Sequence, residues 1–87
     1  MITTSRYAPE EIRLEAKLQA GRSGEKYVAR GKKTIEQIAQ FARKNGDGHV
    51  FIICERRGGG SVTEKINIDP RGRWKWDESS TQDENSI

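Results

Sequence analysis

Tyr27 to Glu55 reads YVARGKKTIEQIAQFARKNGDGHVFIICE, and two elements are written into it. Thr34 is placed to cap a helix with its side-chain oxygen, and Gln37, three residues on, can reach back to the N–H of Thr34; together they make a capping box. Ile35, Ile38, Ala39 and Ala42 then fall on one face at spacings of three and four. Arg43 and Lys44 sit where the negative end of the helix dipole favours cations, and Gly46 supplies a left-handed stop. The spacing predicts a helix of about three turns. Val50-Phe51-Ile52-Ile53-Cys54 follows, apolar without alternation, rich in β-branched residues and too short for a second helix. It reads as a strand covered on both faces, at the centre of a sheet. Periodicity alone leaves a fragment of buried helix as the alternative.

Working outward, Met1 to Ser5 suits a first strand by its β-branched content. Pro9-Glu10-Glu11 looks like a helix start, with Pro pre-organised for the first turn and acids at the positive end of the dipole. The next residues argue for the other element. Ile12, Leu14, Ala16 and Leu18 alternate with Arg13, Glu15 and Lys17, the period of a half-buried strand, and Gly21-Arg22-Ser23-Gly24 could be a hairpin loop leading to Tyr27. Helix and strand are evenly matched for Pro9 to Ala20. The choice lies between a β-α-β-α-β-β chain and a β-β-α-β-β chain.

Beyond the central run, Arg56-Arg57-Gly58-Gly59-Gly60 permits any turn. Val62, Ile66 and Ile68 alternate with Thr63, Lys65, Asn67 and Asp69, the pattern of a strand with one covered face that pairs antiparallel with the central one. Asp69-Pro70-Arg71-Gly72 has Pro at the second position of a β-turn. Arg73-Trp74-Lys75-Trp76 alternates base and aromatic. From Asp77 the chain is Asp, Glu, Ser, Thr, Gln and Asn with no apolar residue before Ile87, so residues 1–76 are expected to form one α/β (α+β) domain and 77–87 an acidic disordered tail.

Eighty-seven residues leave no room for a second core. Only 32% of them are hydrophobic and 33% are charged, so burial against a partner would add stability. No segment approaches the roughly 20 apolar residues that span a bilayer, and the first residues lack the apolar run of a secretory signal; the expectation is a cytoplasmic protein. Cys54 has no second cysteine to pair with and reads as a small core residue. His49 has no Cys or second His at ligand spacing, so no metal is expected. The net charge of +3 conceals an asymmetry: all 16 Lys and Arg lie in residues 1–76 against nine acids, while residues 77–87 carry four acids and no base. A basic body suits a polyanion, and the tail could compete for the same surface or keep the chain soluble.

Basic residues cluster at Arg30-Gly31-Lys32-Lys33, just before the capped helix, and at Arg56-Arg57. At a helix N-terminus, free N–H groups, the dipole and two lysines all favour a phosphate. The plain alternative is salt bridging to Glu25, Glu36 and Glu55. The glycine spacing of a Walker A loop is absent. Adding Lys65, Arg73 and Lys75 gives the full candidate set for nucleic-acid contact. Trp74 and Trp76, pointing the same way along an extended segment, could stack on unpaired bases, or cover the sheet edge or a dimer seam. No acid pair has a supporting His, no Ser has an identifiable base, and Gly58 to Gly60 lack a strand-to-helix context. Neither an enzyme nor a cofactor nor a small-molecule substrate is expected.

I-T-T-S-R at Ile2 to Arg6, Y-V-A-R-G-K-K-T-I-E-Q-I at Tyr27 to Ile38, the apolar strand, the basic turn at Arg57-Gly58 and I-N-I-D-P at Ile66 to Pro70, in this order, resemble the Brix family of ribosome-assembly factors, its archaeal members in particular. The resemblance implies a non-catalytic fold of two similar α/β halves related by a pseudo-twofold, each like an anticodon-binding domain, which binds ribosomal RNA during subunit assembly. It also implies a helix between T-T-S-R and the tyrosine, which decides Pro9 to Ala20 as helix and the chain order as β-α-β-α-β-β. This chain resembles the amino-terminal half only, and where the family has a basic start to its first helix it has Tyr7-Ala8-Pro9-Glu10-Glu11. A half-domain suggests a homodimer, two copies supplying what one longer chain supplies elsewhere. The expected function is RNA binding in ribosome biogenesis; the alternatives are a homodimeric protein-interaction scaffold built on Trp74, Trp76 and an open strand edge, or a small DNA-associated regulator.

Overall fold

A computed structural model describes residues 1–77. Its elements in chain order are β1 (Ile2–Thr4), α1 (Glu10–Ser23), α2 (Ile35–Lys44), β2 (His49–Glu55), β3 (Ser61–Ile68) and β4 (Trp74–Trp76). This is the expected small α+β domain, with two helices and a four-stranded mixed sheet, and its sheet order is β1-β2-β3-β4. β1 and β2 are parallel, and the remaining pairs are antiparallel. In place of the strand expected between the helices there is a single parallel bridge, Ile2 to Tyr27, and the fourth strand comes from Trp74–Trp76. Residues 78–87, which carry most of the expected acidic tail, lie outside the described residues.

The capping box forms as its spacing requires. Thr34 Oγ1 accepts from Gln37 N at 3.2 Å, and Gln37 Oε1 accepts from Thr34 N at 2.9 Å. Gly46, at φ 81°, stops the helix in the left-handed region. Ile38, Ala39 and Ala42 are buried along one stripe.

Glu10 to Ala20 is helix with Pro9 as its extended N-cap, and the β-β-α-β-β alternative falls. The alternation that argued for a strand has another origin. Ile12, Ala16 and Ala20, four apart, are buried, whereas Leu14 and Leu18 are 50% and 55% exposed on the far side. Two stripes, one inward and one outward, imitate a two-residue period. The helix runs three residues past Ala20, through the glycine loop, and ends at Gly24 with φ 76°.

α2 and α1 cover opposite faces of the sheet. Val50, Ile52 and Cys54 pack with Met1, Ile38, Ala39, Ala42 and Ile66 on the α2 side. Phe51 and Ile53 pack with Ile2, Ile12, Ala16 and Ala20 on the α1 side. β2 thus has no wet face at its centre, which is why its sequence does not alternate. Each fully buried Ile there contributes about 1.5–3 kcal/mol.

Connectivity gives the sheet two unlike ends. From Thr4 the chain returns along α1 and comes back beside β1 through Tyr27, where Val28 N donates to Ile2 O at 2.9 Å. It crosses again in α2 before entering β2. The start of α1, the start of α2, the carboxyl ends of β1 and β2 and the β2–β3 turn therefore share one end.

Candidate nucleic-acid interface

That end collects the side chains that could meet a phosphate. Lys32 is exposed and Lys33 half-buried. Lys33 Nζ donates only to its own Ala29 carbonyl at 3.3 Å. Among the described residues no carboxylate lies within ion-pair distance of either lysine. The alternative of salt bridging to Glu25, Glu36 and Glu55 is not realised: Glu25 instead holds the Met1 ammonium and sits 3.2 Å from His49 Nε2. The ammonium first, then His49, pull the Glu25 carboxyl below its usual range. In the first turn of α2 the capping box uses the Gln37 N–H and leaves those of Ile35 and Glu36 without an intrahelical partner.

Arg30, expected among the phosphate contacts, is a correction. It is 6% exposed, with Nε donating to Lys33 O and Nη1 donating to Thr4 O, both at 2.7 Å. Its guanidinium is spent tying the loop before α2 to the end of β1. Burial, then the nearby Arg6, lower its pKa from the ordinary guanidinium value.

Beside this tie lies a cleft of about 340 Å³ lined by Thr4, Ser5, Tyr7, Ala8, Arg13, Ala29, Arg30, Gly31 and Lys32. Tyr7 is 78% exposed and carries φ 59°, the one non-glycine residue with positive φ among those described. For a bulky residue this costs on the order of 1–3 kcal/mol. The Arg6 guanidinium lies 5.4 Å from its ring centroid, and Arg13 Nη1 donates to Ala8 O at 2.8 Å. Nothing in the local sequence pattern marks Arg6, Tyr7 and Arg13 as site residues. Arg13 joins the group only once α1 is known to be a helix that starts here, and Arg6 stood in the T-T-S-R stretch without a role.

Arg56 and Arg57 lie at the same end, exposed on the β2–β3 turn. Gly58, Gly59 and Gly60 follow with φ of 89°, 113° and 80°, a run that only glycine adopts without strain. An adjoining groove is acidic, with Glu11, Glu15 and Glu55 in its lining, so the start of α1 offers an anion little on that side.

The remaining candidate cations, Lys65, Arg73 and Lys75, stand elsewhere on the molecule. Lys65 and Lys75 stand on the α1 side of β3 and β4, opposite Phe51 and Asn67 in the register. Lys65 Nζ is 3.6 Å from Asp77 Oδ2 and 5.4 Å from the Phe51 ring centroid. Arg73 sits at the opposite end of the sheet, paired with Asp69 at 3.2 Å. The hydrogen bonds of Asp69 to the backbone N–H groups of Arg73 and Arg71 hold its carboxyl below the usual range. Trp74 and Trp76 do share a side, as T-shaped neighbours with centroids 5.9 Å apart. Trp74 packs against the α2-side core, and Trp76 remains exposed.

No group of three or more His, Cys, Asp or Glu among the described residues could hold a metal ion. The Cys54 thiol is pushed up to about 12 by burial and the neighbouring Glu64, which keeps it protonated and unreactive. No helix among the described residues is long and apolar enough to cross a membrane.

Fold and site together define a class: a small mixed sheet with one helix on each face and a group of cations, Lys32, Lys33, Arg56 and Arg57 among them, at the end where both helices begin. Solved structures similar to it include the following two. Mil, an archaeal Imp4-like protein, matches with a TM-score of 0.64 and 27% identity over 84% of this chain. A probable ribosomal biogenesis protein from Aeropyrum pernix K1 matches with a TM-score of 0.74 and 24% identity over 86%. The chain spans 45% and 42% of those two proteins' lengths. No protein-family model and no curated protein matches it.

Proposed function

We propose that the protein is a non-catalytic RNA-binding member of the Brix family that acts in ribosome biogenesis, gripping RNA phosphates at the carboxyl end of β1 and β2. The observation that carries this reading is the Lys32-Lys33 pair at the start of α2, exposed and half-buried respectively and without a carboxylate partner among the described residues. Neither lysine is neutralised within the described fold, which supports contact with an outside anion. Arg6, Arg13, Arg56 and Arg57 extend the same positive end, and backbone phosphates are the anions such a surface meets in series. The likeness to an archaeal Imp4-like protein and to a fold seen in a probable ribosomal biogenesis protein supports ribosome assembly as the setting.

Protein isolated at low salt tests this reading by the nucleic acid it carries. The expected result is an absorbance ratio raised at 260 nm, with ribosomal RNA recovered on sequencing. Nucleic-acid-free protein that also fails to shift ribosomal RNA at low salt contradicts it.

Self-association is a second reading favoured by one feature. Leu14 and Leu18 form an outward apolar stripe on α1, and covering it in a homodimer would remove it from water.

A further inference from the structure

The cleft between Tyr7 and Lys32 contains more than phosphate binding requires. Lysines and arginines suffice for a backbone grip, yet here an aromatic ring is held in solvent at a backbone geometry that disfavours it. Tyr7 earns nothing from burial. Glycine or asparagine would fit φ 59° better, so local stability does not explain a tyrosine. Its ring has the Arg6 guanidinium beside it, and it stands at the mouth of a cleft that also contains Arg13 and Lys32. A flat aromatic surface next to cations, with a cavity of about 340 Å³, matches one nucleotide: the base stacks, and its phosphate meets the cations.

We infer that the Tyr7 cleft binds one unstacked nucleotide of the bound RNA, the base resting on the Tyr7 ring and the 5′-phosphate between Arg13 and Lys32. The inference rests on the RNA-binding reading above and adds an element of structure selection to it. Paired bases are already stacked and present only backbone, so this cleft favours RNA with a bulged, looped or terminal base. Arg30 forms the floor and keeps its own bonds to Thr4 and Lys33.

The test uses the full chain with three probes: a single-stranded oligoadenylate, adenosine 5′-monophosphate and inorganic phosphate. The expected result is that both adenine probes shift the backbone amide resonances of Ser5 to Ala8 and of Gly31 and Lys32, whereas inorganic phosphate leaves those of Ser5 to Ala8 in place. Tyr7→Ala is expected to weaken oligoadenylate binding about 5- to 100-fold, and Tyr7→Phe to retain most of it. Tyr7→Gly, which relieves the positive φ, is expected to melt no lower than the wild type and still to lose affinity, which separates stacking from folding. Oligoadenylate binding that falls steeply with salt but is indifferent to Tyr7→Ala overturns the stacking cleft and leaves the RNA reading standing. Equal shifts from inorganic phosphate likewise reduce the cleft to an anion site. A wild type that binds neither oligoadenylate nor structured RNA at low salt overturns both.

Discussion

Arg30 and Lys32 stand two residues apart in one basic cluster and have opposite employments. Arg30 is buried with two donors committed to the carbonyls of Thr4 and Lys33, while Lys32 reaches solvent. Replacing Arg30 with Met leaves two carbonyls without their donors, and is expected to cost about 2–4 kcal/mol in urea unfolding. Lys32→Ala is expected to stay within about 0.5 kcal/mol. Equal small losses for both would mean that Arg30 is not a tie. Glu25 gives a pH-dependent counterpart. Its carboxyl is held below the ordinary value by the Met1 ammonium and His49, so the charged form is the one the fold stabilises. That stability is present above the unfolded carboxylate range and disappears as pH falls through the depressed folded value. Glu25→Gln is expected to melt below the wild type at pH 6, by roughly 1–2 kcal/mol, and to converge with it in acid. A deficit independent of pH would contradict the ion-pair account.

At the scale of elements, legibility followed the directness of the signal. α2 was readable because its cap, its apolar stripe and its stop are local features, each made by a few neighbouring residues. β2 was readable because coverage on both faces removes alternation. The cap also predicts its own removal: Thr34→Ala is expected to cost about 1 kcal/mol and Thr34→Ser a few tenths, measured by thermal unfolding. Equal losses would show that the hydroxyl oxygen does not act as the cap. α1 was not readable from pattern, because Leu14 and Leu18 put an apolar stripe where a surface helix is ordinarily polar. Only the likeness to known sequences decided it. The strand anticipated near Tyr27 shrank to one bridge; it flanks a three-residue β1, which gives a longer strand little to pair with.

For the whole molecule, sequence gave the candidate site as a set of cations and the fold sorted them. Parallel pairing of β1 with β2 brings residues from 4 to 60 to one end, a grouping that sequence distance conceals. It also sends Arg73 to the far end and places Lys65 and Lys75 on the open face of β3 and β4. Residues such as Tyr7 and Arg13 entered only through a tertiary cleft. The outward Leu14–Leu18 stripe predicts association, and sedimentation equilibrium at tens of micromolar is expected to show a dimer that Leu14→Lys with Leu18→Lys converts to monomer; a monomeric wild type would remove that reading. The central claim is that the start of α2 offers its lysines to RNA phosphates. The dependence of affinity for structured ribosomal RNA on salt concentration, compared between the wild type and Lys32→Ala with Lys33→Ala, tests it most directly. Two lost phosphate contacts are expected to flatten the logarithmic slope by about 1.4 to 1.8, with the fold intact. A variant that keeps the wild-type slope and affinity would contradict it.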